Sequence, residues 1–421
     1  MTSSLSSTST ASARLTSLDQ FRGYTMFGML IVNFLGGYKA VCPYILRHHH
    51  DYCSYADTIM PQFLFAAGFA MRLSLGKRFE SGGKMPWGRA VRRILGLALV
   101  AIGWYSFCSF SQIVEHFRKE PASVVIYWLC KGKLFQTLSH IAATSLWILP
   151  VIVWSWKARL GFAAFSGVLH LLLSWWFNYE WVYSEPSGVD GGPLGFLTWS
   201  IPALCGTLAC DAVRTSGTRA ARRIAISGMA VMLFAWLMSC GTVLYNVRQS
   251  QPSSTAIEGQ SPASSPTAVA TRRSPLDPEK YAADPVFPTL ERLRSWDGSL
   301  AEPPFVPPPD FHLRRWNYWM MSQRGGTLSY PTFGAGISLL IYAFFLWLSD
   351  VRNIRLGFFR TLGTNSLAAY LLHDIGDWIV SPFFPEKTTS VLVAISGFIC
   401  FTLFVYGSCR FLEWRGWYLR V

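Results

Sequence analysis

The feature that most constrains this chain is a succession of apolar runs, each about twenty residues long and nearly free of charge. At 1.5 Å rise per residue, one such run carries a helix across about 30 Å of hydrocarbon. Lipid offers the backbone no hydrogen-bond partner, so only helices or a closed barrel can span it. Continuous rather than alternating apolarity selects helices. Hydrophobic residues make up 51% of the 421 and charged residues only 14%, which excludes a disordered, collagen-like or small disulfide-stapled chain. The expected fold is all-α: a polytopic membrane protein with about ten transmembrane helices in one bundle, by hydropathy windows. Spans are expected near 20–38, 56–75, 90–112, 133–155, 159–177, 194–213, 223–245, 328–349, 358–380 and 389–409. Residues 1–19 read as a disordered cytosolic tail, 20–245 as helices one to seven, 246–327 as an extracytoplasmic insert, and 328–421 as helices eight to ten with a cytosolic tail.

Basic residues orient the bundle. Alternate connections carry twenty Lys and Arg, among them Arg78, Arg89, Arg92, Arg93, Arg219, Arg222 and Arg223, whereas the opposite short loops carry seven. By the positive-inside rule both termini are cytosolic and the loop at 39–55 faces out. The net charge of +14 therefore reflects topology, and nucleic acid is discounted as a partner. Membrane lipid is the expected surrounding, and nothing opposes a homodimer. The N-terminus has no charged start followed by an apolar stretch, so no cleavable signal peptide is read there, and a bacterial inner membrane is expected. The insert, with QPSSTAIEGQSPASSPTAVATRRSP and EPPFVPPPD, is expected to be largely disordered or extended because it cannot bury a core. Seven of nine cysteines lie in or beside apolar runs; Cys42 and Cys53 share one outer loop and can pair only if that side is oxidising.

Polar groups inside apolar spans are costly and mark candidate sites. Asn33 in MLIVNFLGG lies about 7 Å inside the outer end of span one. It suits either chemistry near the outer loop or an interhelical hydrogen bond. The loop PYILRHHHDYCSYADTIMP brings His48, His49, His50, Asp51 and Asp57 together. Histidine serves as general base, nucleophile or metal ligand near neutral pH. Three adjacent histidines diverge, so no metal site is expected from this stretch. Asp57 stands where span two begins and equally suits a helix cap. KGKLFQTLSHIAATS sets Gln136 and His140 one turn apart on span four, and LGTNSLAAYLLHD puts Asn365, Ser366, Tyr370 and His373 into span nine. Asp19 and Arg22, in SLDQFRG, begin span one.

RLTSLDQFRG, IVNFLGG, a histidine-bearing loop and YADTIMPQFLFAAGFAMRLSL, taken with KLFQTLSHIA, GFLTWSIPAL and LGTNSLAAYLLHD, resemble the heparan-α-glucosaminide N-acetyltransferase family of membrane acyltransferases. The resemblance covers most of the chain except 246–327. It implies transfer of an acetyl group from cytosolic acetyl-CoA to an amino sugar or other saccharide on the far side. It further implies a catalytic histidine at His48 or His49, assisted by Asn33, with Asp57 as the carboxylate of the family's T-x-A-D-x-x-x-P pattern. The family's H-x-x-W-x-G-x-T-x-x-D spacing is not kept: counting back from Asp57 reaches Arg47, and its Trp and Gly are absent.

On this reading a neutral imidazole takes the acceptor's proton or itself carries the acyl group. Asn33 donates to the developing oxyanion, and Asp57 orients the imidazole. Arg89, Arg92 and Arg93 are candidates for the coenzyme's phosphates, although positive-inside topology is the stronger explanation for them, and Gln136, Asn365 and Ser366 are candidates along the donor's path. Acetyl-CoA is the only cofactor expected, with no metal. The alternatives are a multi-span transporter of a small polar solute or lipid-linked sugar, marked by broken spans and buried charge pairs, and a non-catalytic scaffold.

Overall fold

Where the sequence runs apolar, the backbone closes its own hydrogen bonds and the chain is helical. The computed structural model describes residues 15–41, 43–80, 82, 86–247, 276–387 and 390–419. Most of the expected N-terminal tail, and Cys42 with its pairing to Cys53, fall outside these. The principal helices are α1 (Thr16–Leu35), α2 (Ile59–Glu80), α3 (Trp87–Cys108), α4 (Phe110–Lys119), α5 (Ala122–Leu129), α6 (Thr137–Ile148), α7 (Trp156–Leu173), α8 (Gly195–Ser216), α9 (Ala220–Ser239), α10 (Ser329–Leu346), α11 (Gly357–Thr364), α12 (Ser366–Val380) and α13 (Val391–Trp414). Among the described residues strand pairing is limited to two isolated bridges, Asn246 with Arg314 and Tyr281 with Trp316.

Six helical stretches are long and apolar enough to cross a membrane, or up to seven when the bent pair Ala122–Leu134 and Thr137–Val151 is taken as one. The difference from ten has local causes. Asp19, Gln20, Arg22 and Asn33 dilute the apolarity of α1. The ninth run is interrupted at Asn365, where φ −118° and ψ 39° leave two helices each too short to cross alone. Gly192–Tyr245 counts as one stretch of 54 residues, about 80 Å if straight. Gly217, at φ +54° and ψ −135°, breaks it into α8 and α9.

Helices α2 and α10 form the interior, with 67% and 72% of their apolar windows buried; α3, at 11%, lies on the periphery. Leu99 and Phe107 of α3, and Leu392 and Leu403 of α13, project outward, as lipid-facing side chains do. Helix α8 is the hub, packing on α2, α6, α7 and α10. Its crossing with α2 depends on glycine. A Cβ on Gly68 would lie 1.9 Å from the Ala203 carbonyl oxygen, and one on Gly206 2.0 Å from that of Phe65. Small residues let membrane helices approach this closely, so dispersion and polar contacts hold the pair.

One side chain crosslinks this hub. Asp211 of α8 accepts from Arg72 Nε of α2 at 2.7 Å and pairs with Arg159 of α7, which is fully buried. Arg72 also donates to the Ile152 carbonyl at 3.1 Å, and Arg159 to that of Trp154 at 3.1 Å.

In the described part of the insert, the expectation that it cannot bury a core is not met. Residues 276–327 hold little regular structure but are packed onto the histidine-loop end of the bundle. Tyr281, Val286 and Tyr318 form an apolar cluster with Tyr179, Val182 and Tyr183. Arg314 is buried, donating to Glu302 Oε2 at 2.5 Å and to Asn246 Oδ1 at 2.7 Å. The Phe305 amide donates to the Cys53 carbonyl at 3.1 Å, tying the insert to the histidine loop. Aromatics dispersed among prolines supply the apolar area that the low-complexity appearance concealed; residues 248–275 lie outside the described part.

Candidate functional site

The turn before α2 creates a histidine–carboxylate pair. Residues Ala56–Thr58 form a single 3-10 turn, and its carboxylate points back along the chain rather than capping the helix. Asp57 Oδ2 accepts from the Ser54 amide at 2.8 Å and lies 2.9 Å from the Ser54 hydroxyl. Asp57 Oδ1 accepts from His48 Nδ1 at 2.8 Å. The Tyr330 hydroxyl of α10 donates to the Asp57 carbonyl at 2.6 Å, anchoring the turn to the interior. Asp57 is fully buried, whereas the His48 side chain is 46% exposed. With Nδ1–H committed to the carboxylate, the lone pair of His48 is on Nε2, the atom a general base or acyl carrier uses. Burial pulls the imidazole's pKa down, but the bonded Asp57 and the nearby Asp190 outweigh it, and the net shift is upward.

His49 and His50 are placed otherwise. His49 stacks on Tyr52, with ring centroids 4.2 Å apart, and its Nε2 donates to the Tyr44 carbonyl at 3.0 Å. His50 Nε2 accepts from Arg324 Nη2 at 2.8 Å, since a guanidinium can only donate. Burial, then Arg324, pulls its pKa to about 3. A histidine held neutral in the fold but free to protonate when unfolded contributes stability above its ordinary value near 6.5, lost as pH falls from there toward 3. Thermal midpoints measured between pH 7 and pH 4 are therefore expected to fall less steeply in His50→Gln than in the unsubstituted protein. Parallel slopes would exclude His50 as a source of that acid sensitivity.

Asp190, on the connection before α8, joins the same neighbourhood. It is buried in the left-handed region at φ +50°. Its Oδ1 accepts from Gln323 Nε2 at 2.6 Å, and its carbonyl accepts from Trp199 Nε1 at 2.8 Å. Burial is the main cause that raises its carboxyl to about 6. A glycine seam makes this contact: the Gly191 amide donates to the Arg324 carbonyl at 2.9 Å, and a Cβ on Gly326 would lie 2.8 Å from Gly191 Cα. The insert thus brings two consecutive side chains to the site, Gln323 to Asp190 and Arg324 to His50. Sequence reasoning missed both, though the glycines flanking them were a visible turn signal.

Other expected residues are dispersed. Asn33 Nδ2 donates to His373 Nε2 of α12 at 2.9 Å, and His373 Nδ1 donates to the Tyr370 carbonyl. Asn33 thus makes the interhelical bond rather than a contact with His48. Tyr370 hydroxyl lies 3.1 Å from that of Tyr105, which accepts the Leu138 amide at 2.9 Å. Gln136 does not share a helical face with His140. It stands in extended conformation before α6, its carbonyl accepting the His140 amide at 2.9 Å and its side chain 3.4 Å from the Gly132 carbonyl. Asn365 donates to the Trp417 carbonyl at 3.2 Å, and Ser366 accepts from Arg22 at 2.5 Å. Arg92 and Arg93 are exposed in the second turn of α3. Asn365 and Ser366 thus stand at the break between α11 and α12, and Gln136 at the bend before α6. Among the described residues no group of three His, Cys, Asp or Glu is arranged to hold a metal.

The chain matches no protein-family model, and no curated protein matches it in sequence.

Proposed function

We propose that the protein is an integral membrane acyltransferase that moves an acetyl group from acetyl-CoA to an amino sugar or other saccharide across the bilayer. The single observation that carries this reading is His48, bonded through Nδ1 to buried Asp57 while its side chain is partly exposed. It stands at the end of the bundle that the basic-residue asymmetry assigns to the outside. That accounting gives ten spans with both termini cytosolic, counting α1 as one span and α11 with α12 as another. Its membrane is assigned to a bacterial cell on the same reading.

The chemistry follows from the pair. The acceptor's amine or hydroxyl attacks the thioester carbonyl while His48 Nε2 takes its proton; the C–S bond breaks and the thiolate leaves with a proton. In the two-step variant Nε2 attacks first and hands the acetyl group on. Both use the same nitrogen, and in both Asp57 fixes the tautomer and stabilises the imidazolium. The donor's phosphates are assigned to the cytosolic bases, Arg92 and Arg93 among them. Purified protein in nanodiscs, given labelled acetyl-CoA and a panel of amino sugars, is expected to release labelled N- or O-acetyl product. Neither binding nor product with any acceptor would overturn the reading.

Three features favour a second reading. A broken helix pair at Asn365, a 76° bend between Ala122–Leu134 and Thr137–Val151, and the buried Arg72–Asp211–Arg159 cluster are marks of transporters. Solute uptake into sealed vesicles without acetyl turnover would select it.

A further inference from the structure

The pairing with Asp57 accounts for the tautomer of His48 but leaves Asp190 unexplained. A carboxylate buried in an apolar setting is costly unless bonded. Its Oδ1 accepts a hydrogen bond from Gln323. Its backbone occupies the left-handed region at φ +50°, which for a residue other than glycine recurs at functional sites. Four contacts nonetheless hold it there: Trp199 Nε1 on its carbonyl, Asn178 Nδ2 on the Gly191 carbonyl at 3.2 Å, the Gly191 amide on Arg324, and the Thr198 hydroxyl on the Gly326 carbonyl at 2.7 Å. Trp199 in turn packs edge-on against Tyr330, whose hydroxyl holds Asp57. One continuous set of contacts therefore fixes Asp57 and Asp190 together, and consecutive Gln323 and Arg324 tie Asp190 to the loop that carries His48 through His50.

We propose that Asp190, seated by the Gln323–Gly326 turn of the insert, is a second positioning residue that stabilises the charged imidazolium of His48. Asp57 sets which nitrogen carries the lone pair; Asp190 adds a negative charge that favours imidazolium as the proton arrives. The charged groups bearing on His48 are Asp57 from its own loop and Asp190 from the connection before α8, while His50 beside it is held neutral. Arg324 and Lys280 of the insert act on His50. On this proposal the insert takes part in the site, because Gln323 donates to Asp190 and its neighbour Arg324 to His50.

The consequence for catalysis rests on the acyltransferase reading, but the test does not. The protonation midpoint of His48 is read by NMR of protein labelled with ¹⁵N-histidine in nanodiscs, assigned by the signal lost in His48→Gln. Asp190→Asn, which keeps the shape and removes the charge, is expected to lower that midpoint by at least about half a unit, whereas Asp190→Glu retains it. Gln323→Lys sets an ammonium against the same carboxylate without touching the left-handed residue. It is expected to lower the midpoint likewise, and decides the matter if Asp190→Asn does not fold. A His48 midpoint unchanged in the folded charge-removing variant overturns the proposal. A shifted midpoint in a protein that transfers no acetyl group supports Asp190 and refutes the reaction instead.

Discussion

Replacing His48 by Ala is expected to lower acetyl transfer by about 10²–10⁴-fold, the range lost with a general base, while His49→Ala leaves turnover near that of the unsubstituted protein. The asymmetry follows from what each ring touches. His48 is bonded through Nδ1 to a buried carboxylate, which leaves its lone pair on Nε2; His49 stacks on Tyr52 and uses Nε2 on a backbone carbonyl. Asp57→Asn should cost as much as His48→Ala or nearly so, because an amide no longer enforces the Nδ1–H tautomer. Its pH profile carries a second sign. Asp57 helps hold the His48 pKa above the ordinary histidine value, so the active base accumulates only above that raised value. Removing the carboxylate's charge should move the acidic limb of kcat/KM to lower pH. Steady-state kinetics on the three variants check both points, and full activity in His48→Ala would contradict the assignment.

The largest expected effect on stability lies at the other end of the bundle. Asp211→Ala should destabilise the protein by about 3–5 kcal/mol, read by reversible unfolding in detergent mixtures, because it strands the buried Arg159 guanidinium and removes a partner of Arg72. The carboxylate joins α2, α7 and α8, and those three helices meet at the hub. Removing one partner of a buried ionic cluster leaves charge without compensation, which costs more than the intact cluster contributes. A loss under about 1 kcal/mol would mean that water reaches the guanidinium groups and that the cluster does not hold the helices.

Much of this architecture was legible because lipid imposes a simple rule: apolar runs must be helices. The runs at 194–213 and 223–245 read as separate spans, and the structure breaks between them, at Gly217. The failures lie where a local interaction outweighs hydropathy. Asn365 interrupts a run that reads as one helix, and its side chain finds the Trp417 carbonyl, a partner over fifty residues away that no local pattern announces. Gln136 has helical spacing to His140, yet the chain turns sharply just before it. At the site, Asp57 was visible because it is close in sequence to His48. Asp190, Gln323 and Arg324 reach the same place through Gly191 and Gly326, and only folding brings those glycines together. Proline and serine made the insert look unfoldable, yet Tyr281, Val286 and Tyr318 provide it with a core shared with the bundle.

The central claim is transfer across the membrane through His48. It is tested most directly with protein reconstituted in sealed vesicles, histidine loop inward, with labelled acetyl-CoA supplied outside and an amino sugar trapped inside. The account predicts acetylated sugar in the lumen, formed by the unsubstituted protein and absent with His48→Ala. Acetylated sugar that persists with His48→Ala, or trapped sugar left unmodified by protein that binds acetyl-CoA, would contradict it.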